Sequence, residues 1–202
     1  MKNLLFILAL LVSFVSFGQT AEEYYDRAED KIDAEDFYGA IADFNKVMER
    51  CSPGFKYNVY IEIGFCKVEL GDNYGAIADF TKSIELKPDN YIAYYERGYS
   101  KIVLEDFKGG LADFTKSIEL KPDNYFAYFE RGDAKSELED PYGAISDYTK
   151  AIQLKPDYGD AYLYRGIEKW SLGDLRGRCD DWKKAIKFGN TYAEEVLAKH
   201  CN

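Results

Sequence analysis

Ala78-Asp79-Phe80-Thr81-Lys82-Ser83-Ile84-Glu85-Leu86-Lys87-Pro88-Asp89-Asn90-Tyr91 returns without change at Ala112 to Tyr125, a displacement of 34 residues. A looser third copy runs from Ser146 to Tyr158 and sets Pro88, Pro122 and Pro156 in one register. A repeat of this length marks an array of small stacked units, each burying its apolar face on the next, not a domain with one central core. Counting from Tyr57 gives units at 57–90, 91–124 and 125–158, extended upstream by 21–56 and downstream by 159–190. Within a unit, apolar and aromatic residues recur at helical spacing over two stretches: Tyr94, Gly98 and Lys101, then, past a polar turn at Glu105-Asp106, Leu111, Phe114 and Ile118. Each unit therefore reads as two antiparallel helices. The prolines stop the second helix, because proline lacks the amide donor and disfavours helical backbone in the residue before it.

In the residues at fixed positions of each unit, the chain resembles the tetratricopeptide repeat family. The family asks for a small residue at the eighth position of a unit, which Ala28, Gly64, Gly98, Gly132 and Gly166 supply. It asks for another at the twentieth, met by Ala40, Ala76, Gly110 and Ala144, and for an aromatic at the twenty-fourth, met by Phe44, Phe80, Phe114, Tyr148 and Trp182. The resemblance covers residues 21 to 190 and implies an all-α, right-handed α-solenoid. There are two departures: a two-residue insertion near Cys51-Ser52-Pro53-Gly54 in the first unit, and Arg178 where the fifth needs a small residue. Residues 191–202 read as a capping helix over the last open edge, with Ala193, Val196 and Leu197 on its apolar face.

The chain begins with Met1-Lys2-Asn3, an apolar run from Leu4 to Phe17, and Ser16-Phe17-Gly18 before Gln19. That is the layout of a secretory signal peptide over 1–18, its apolar run shorter than the roughly 20 residues that span a bilayer. A mature protein in the periplasm or outside the cell is expected, without a membrane span. Composition agrees with an ordered chain: 47% hydrophobic and 16% aromatic. The formal charge of −10, one unit more negative without Lys2, disfavours nucleic acid as a partner, since phosphate binding needs clustered positive charge.

No catalytic constellation, cofactor motif or metal-ligand spacing stands out. The single histidine, His200, sits near a helix end, and the Asp43, Asp79, Asp113, Asp147 and Asp181 series recurs with the period, as does Arg97, Arg131 and Arg165. Recurrence of that kind points to structural ion pairs across each helix pair. Among the cysteines, Cys51 and Cys66 are expected as free, partly buried thiols. Cys179 and Cys201 lie equally far from the turn at Gly189-Asn190 on antiparallel helices, a placement that admits a disulfide.

In this family the first helices line the concave surface, and the resemblance places Phe65, Tyr95, Tyr99, Phe129 and Trp170 there. Among their companions are Ile61, Ile92, Phe126 and Ile167. Rigid aromatic rings in a row suit a protein or peptide ligand, and carboxylates at the rim (Glu29, Asp133 and Glu137) suit one carrying Lys or Arg. The expected function is that of a non-catalytic scaffold or adaptor. The alternatives are a hydrolase of cell-wall-derived compounds like the Sel1-like repeat proteins, whose longer, Cys-paired units this chain lacks, and a purely structural spacer.

Overall fold

Aspartate decides where the second helix of each pair begins. Asp36, Asp72, Asp106, Asp140 and Asp174 each accept a hydrogen bond from the backbone N–H of Gly39, Gly75, Gly109, Gly143 and Gly177, satisfying an amide that a helix start leaves unpaired. The carboxylate folds back over the glycine so closely that a Cβ would collide with it. The computed structural model describes residues 19–201, and the expected leader at 1–18 lies outside them. Among the described residues the first helices are α1 (Ala21–Asp33), α3 (Lys56–Glu69), α5 (Tyr91–Val103), α7 (Tyr125–Glu137) and α9 (Gly159–Ser171). Their partners are α2 (Phe37–Arg50), α4 (Asn73–Leu86), α6 (Phe107–Leu120), α8 (Pro141–Leu154) and α10 (Leu175–Lys187), with α11 (Tyr192–His200) at the end. The described residues contain no strand.

Each helix lies against its neighbours in chain order, which makes the molecule an all-α solenoid of helix pairs. The exits of α4, α6 and α8 share one cause. Lys87, Lys121 and Lys155 have left helical backbone, at φ −142°, −137° and −132°, because Pro88, Pro122 and Pro156 follow them. Inside the pairs, the turn needs one residue in left-handed conformation. Gly71 and Gly173 provide it without strain at φ 77° and 79°, whereas Glu35, Glu105 and Glu139 adopt it at φ 59°, 61° and 59°.

The core is one ring per unit set against one small residue. Phe44, Phe80, Phe114, Tyr148 and Trp182 are fully buried. A Cβ on Gly64, Gly98 or Gly132 would lie 2.6, 3.0 or 2.7 Å from the ring of its own unit, so glycine is what lets the two helices approach. Behind this seam runs a ladder of ion pairs. Arg97, Arg131 and Arg165 each donate twice to Asp113, Asp147 and Asp181 at 2.6–2.9 Å. The remaining guanidinium nitrogen reaches Thr81, Thr115 or Thr149 of the preceding unit at 3.1, 3.4 and 3.0 Å. Lys101, Lys135 and Lys169 approach the same carboxylates at 2.7 Å. Each arginine thus ties its own helix pair to the one before. Arg27 and Lys31 hold Asp43 likewise and pull its carboxyl down to about 2. In the second unit Ile63 replaces the arginine, and Asp79 pairs with Lys67 alone.

Both departures from the pattern have physical accounts. The insertion becomes a single 3-10 turn, Pro53–Phe55, whose Phe55 ring meets Tyr25 at 5.8 Å. Arg178 occupies a position meant for a small residue where α11, a single helix, packs on α10. It donates to the carbonyl of His200 at 2.6 Å and lies over the rings of Trp170 and Trp182. A cation thereby meets the negative end of α11.

Candidate functional site

The first helices α3, α5 and α7 touch one another directly, and the second helices make no comparable contact. The array therefore curves with its first helices inside, and the groove is made from their outward positions. Tyr99 is 39% exposed there, and Phe126 on α7 and Tyr164 on α9 are also open to solvent. Tyr95 is half-buried, resting on Phe114 at 5.7 Å. Phe65, also half-buried, meets Phe80 edge-on at 5.9 Å.

Two of the expected anchors are differently employed. Phe129 is only 8% exposed, enclosed by Tyr148, Tyr158 and Tyr164 at 5.1–5.7 Å, so its ring is core and cannot anchor a ligand. The larger Tyr164 of the next helix takes its place at the surface. Trp170 keeps an exposed face but lies tilted against His200 at 4.4 Å and edge-on to Trp182 at 6.1 Å, which draws it into the capping end. Cys201 and Cys179 are bonded in that end, Cα to Cα 5.8 Å, joining the residue after α11 to α10. Cys66 is a buried free thiol, and Cys51 is free and half-buried.

The carboxylates are the feature that sequence reasoning missed. Glu62, Glu96 and Glu130 stand one period apart on the inner side of α3, α5 and α7, a recurrence visible in the sequence but unweighted because glutamate on a helix usually faces water. Here they are half-buried. Glu62 has the hydroxyl of Tyr25 as a partner. Burial raises Glu96 to about 7. Burial, then the charges of Asp133 and Glu96, raise Glu130 to about 8. Asp133 sits behind the rim, not on it; it accepts a hydrogen bond from Tyr148 at 2.6 Å and is pushed up to about 7, mainly by burial. Glu29 and Glu137 are exposed as expected of a rim. No lysine or arginine of the described residues forms an ion pair with Glu96, Glu130 or Asp133, although most other cations of the first helices are spent on the ladder behind. The inner face is thus aromatic and short of positive charge. A cavity of about 340 Å³ opens between the starts of α5 and α7, with Tyr91, Tyr95, Glu96, Tyr125 and Phe126 among its walls. Among the described residues no group of three or more His, Cys, Asp or Glu is placed to hold a metal, and no helix is long and apolar enough to cross a membrane.

The tetratricopeptide repeat family model matches residues 57–90 and 127–158, two of the five units. No curated protein sequence matches. Among solved structures, a crystal structure of MamA superposes with a TM-score of 0.74 at 24% identity, covering 85% of this chain and 96% of that one. MamA from Desulfovibrio magneticus RS-1 gives 0.78 at 18% identity, covering 86% and 97%. YrrB, described as a TPR protein with an unusual peptide-binding site, gives 0.73 at 21% identity, covering 89% and 91%. At these identities the likeness is one of fold.

Proposed function

From a chain that is a solenoid of tetratricopeptide repeats, we propose an exported scaffold that holds a segment of a partner protein along the inner face of its first helices. The observation that carries the reading is the pairing on that face of exposed rings, Tyr99, Phe126 and Tyr164, with carboxylates that have no cation of their own, Glu96 and Glu130. Burying such a surface against a purely apolar partner would leave these carboxyl groups without a hydrogen-bond partner, whereas Lys or Arg in the partner would draw them into the charged form and pair with it. The likeness to YrrB, a peptide-binding protein of the same fold, lends support. Export rests on the leader pattern of Leu4 to Gly18, and the Cys179–Cys201 bond suits the oxidising compartment it would reach.

The test is capture of partners from the envelope fraction of the native host, run in parallel with a Tyr99→Ala/Tyr164→Ala variant that retains its helical circular dichroism. Loss of two ring anchors should weaken the specific partner by about 2 kcal/mol or more, roughly thirtyfold. Partners retained equally by both proteins would place binding elsewhere. Intact mass of protein from the host should show a chain starting near Gln19; a retained Met1 would refute export by cleavage.

A further inference from the structure

We infer that the cavity between the starts of α5 and α7 is a receptor for one ammonium or guanidinium group, the side chain of a Lys or Arg in the segment bound by the groove. The source of that cation rests on the groove reading; the chemistry of the cavity does not. Its walls are the rings of Tyr91, Tyr95, Tyr125 and Phe126 with the half-buried carboxylate of Glu96 beside them, and the exposed side chains of Lys121 and Asp123 line its edge. Ring faces attract a cation within about 6 Å, more strongly where water is displaced. An anion would be repelled by Glu96, and a neutral apolar group would bury that carboxylate without a partner.

The repeat itself supplies two filled copies of this position. Lys87 lies 4.4 Å over the ring of Tyr57 and donates to its hydroxyl at 3.1 Å. Lys155 lies 4.8 Å over Tyr125, donates to its hydroxyl at 3.1 Å, and has Tyr158 at 5.6 Å. The equivalent lysine of the third unit, Lys121, is drawn aside to Asp123 at 3.3 Å and stands 5.9 Å from Tyr91 with no hydrogen bond to it. Between two units whose lysine is hydrogen-bonded to the ring hydroxyl, this one keeps Lys121 at the edge of the cavity, paired with Asp123, so that neither the Tyr91 hydroxyl nor the carboxylate of Glu96 holds a lysine. The same scaffold geometry that takes an internal ammonium on either side is left for an external one here.

The probes are butylammonium and butylguanidinium, with pentanol as the neutral control, titrated into the 15N-labelled protein while amide shifts are followed. Saturable shifts are expected at Tyr95, Glu96 and Phe126, with at least about tenfold preference for the cations over pentanol. Glu96→Gln and the exposed Phe126→Ala should each weaken the cation by about fivefold or more while the remaining spectrum is unchanged. Equal binding of pentanol, or a Glu96→Gln protein that binds as well as the parent, would overturn the inference. So would cation binding that appears only in Lys121→Ala, since the cavity would then be closed by its own lysine as in the neighbouring units. A groove partner indifferent to Glu96→Gln would refute the receptor and leave the groove standing. Saturable cation binding with no groove partner at all would do the reverse.

Discussion

Replacing Glu130 by Gln should stabilise the protein at alkaline pH and leave it unchanged in acid. In the folded chain the carboxyl is raised to about 8, first by burial and then by the charges of Asp133 and Glu96, while in the unfolded chain it titrates near the ordinary value of about 4.3. The folded state therefore keeps a proton that the unfolded state has released, and stability falls as pH rises between about 4.5 and 8. For a carboxyl wholly cut off from water, each pH unit across that window would be worth about 1.4 kcal/mol. The groove leaves Glu130 partly wet, so a total of about 2 kcal/mol is expected at pH 8.5 and close to zero at pH 4.5. Glutamine keeps the volume and removes only the charge. Urea unfolding followed by circular dichroism at pH 4.5, 6.5 and 8.5, with the disulfide intact, reads the difference between parent and Glu130→Gln. A gap that does not change with pH, or a parent more stable than the variant at pH 8.5, would refute the reasoning.

Three further outcomes concern the frame that holds the groove. Gly132→Ala drives a Cβ to 2.7 Å from the Tyr148 ring and should cost about 2 kcal/mol, against less for Gly98→Ala, where the nearest ring atom is at 3.0 Å; thermal melts of the two variants give the order. Glu105→Gly places at φ 61° the residue that tolerates it and should stabilise the protein by about 1 kcal/mol, visible as a higher unfolding midpoint; an unchanged or lower midpoint would show that the turn carries no strain. Reducing Cys179–Cys201, which encloses a sequence separation of 22, should weaken the capping end by about 3 kcal/mol on a chain-entropy basis. Faster amide exchange confined to α10 and α11 would mark it, and uniform exchange in both redox states would argue against it.

Much of the frame was legible because a repeat states each constraint five times over. The series Gly64, Gly98, Gly132 and Gly166, facing Phe80, Phe114, Tyr148 and Trp182, is a packing rule written in the chain, and only close approach of two helices explains it. The aspartates of the ion ladder recur for the same reason. At the groove this logic weakens, because periodicity assigns a residue to a helix face without saying how deep that face lies. Phe129 and Tyr95 occupy the same position in successive units, yet one is core and the other half-buried, since Tyr158 and Tyr164 lean over the first.

What the sequence by itself determined is the unit: its length, its two helices, their caps and stops, and the small-against-aromatic seam, all set by contacts within about 34 residues of chain. What only the tertiary structure decided is the character of the inner face. Whether Glu96 and Glu130 meet water or a low-dielectric wall, and whether a lysine bonds the hydroxyl of Tyr57 and Tyr125 but not that of Tyr91, depends on how one unit lies against the next. Identical local sequences carry identical local propensities; burial and charge compensation belong to the space between units, and the chain does not write that space in any single repeat.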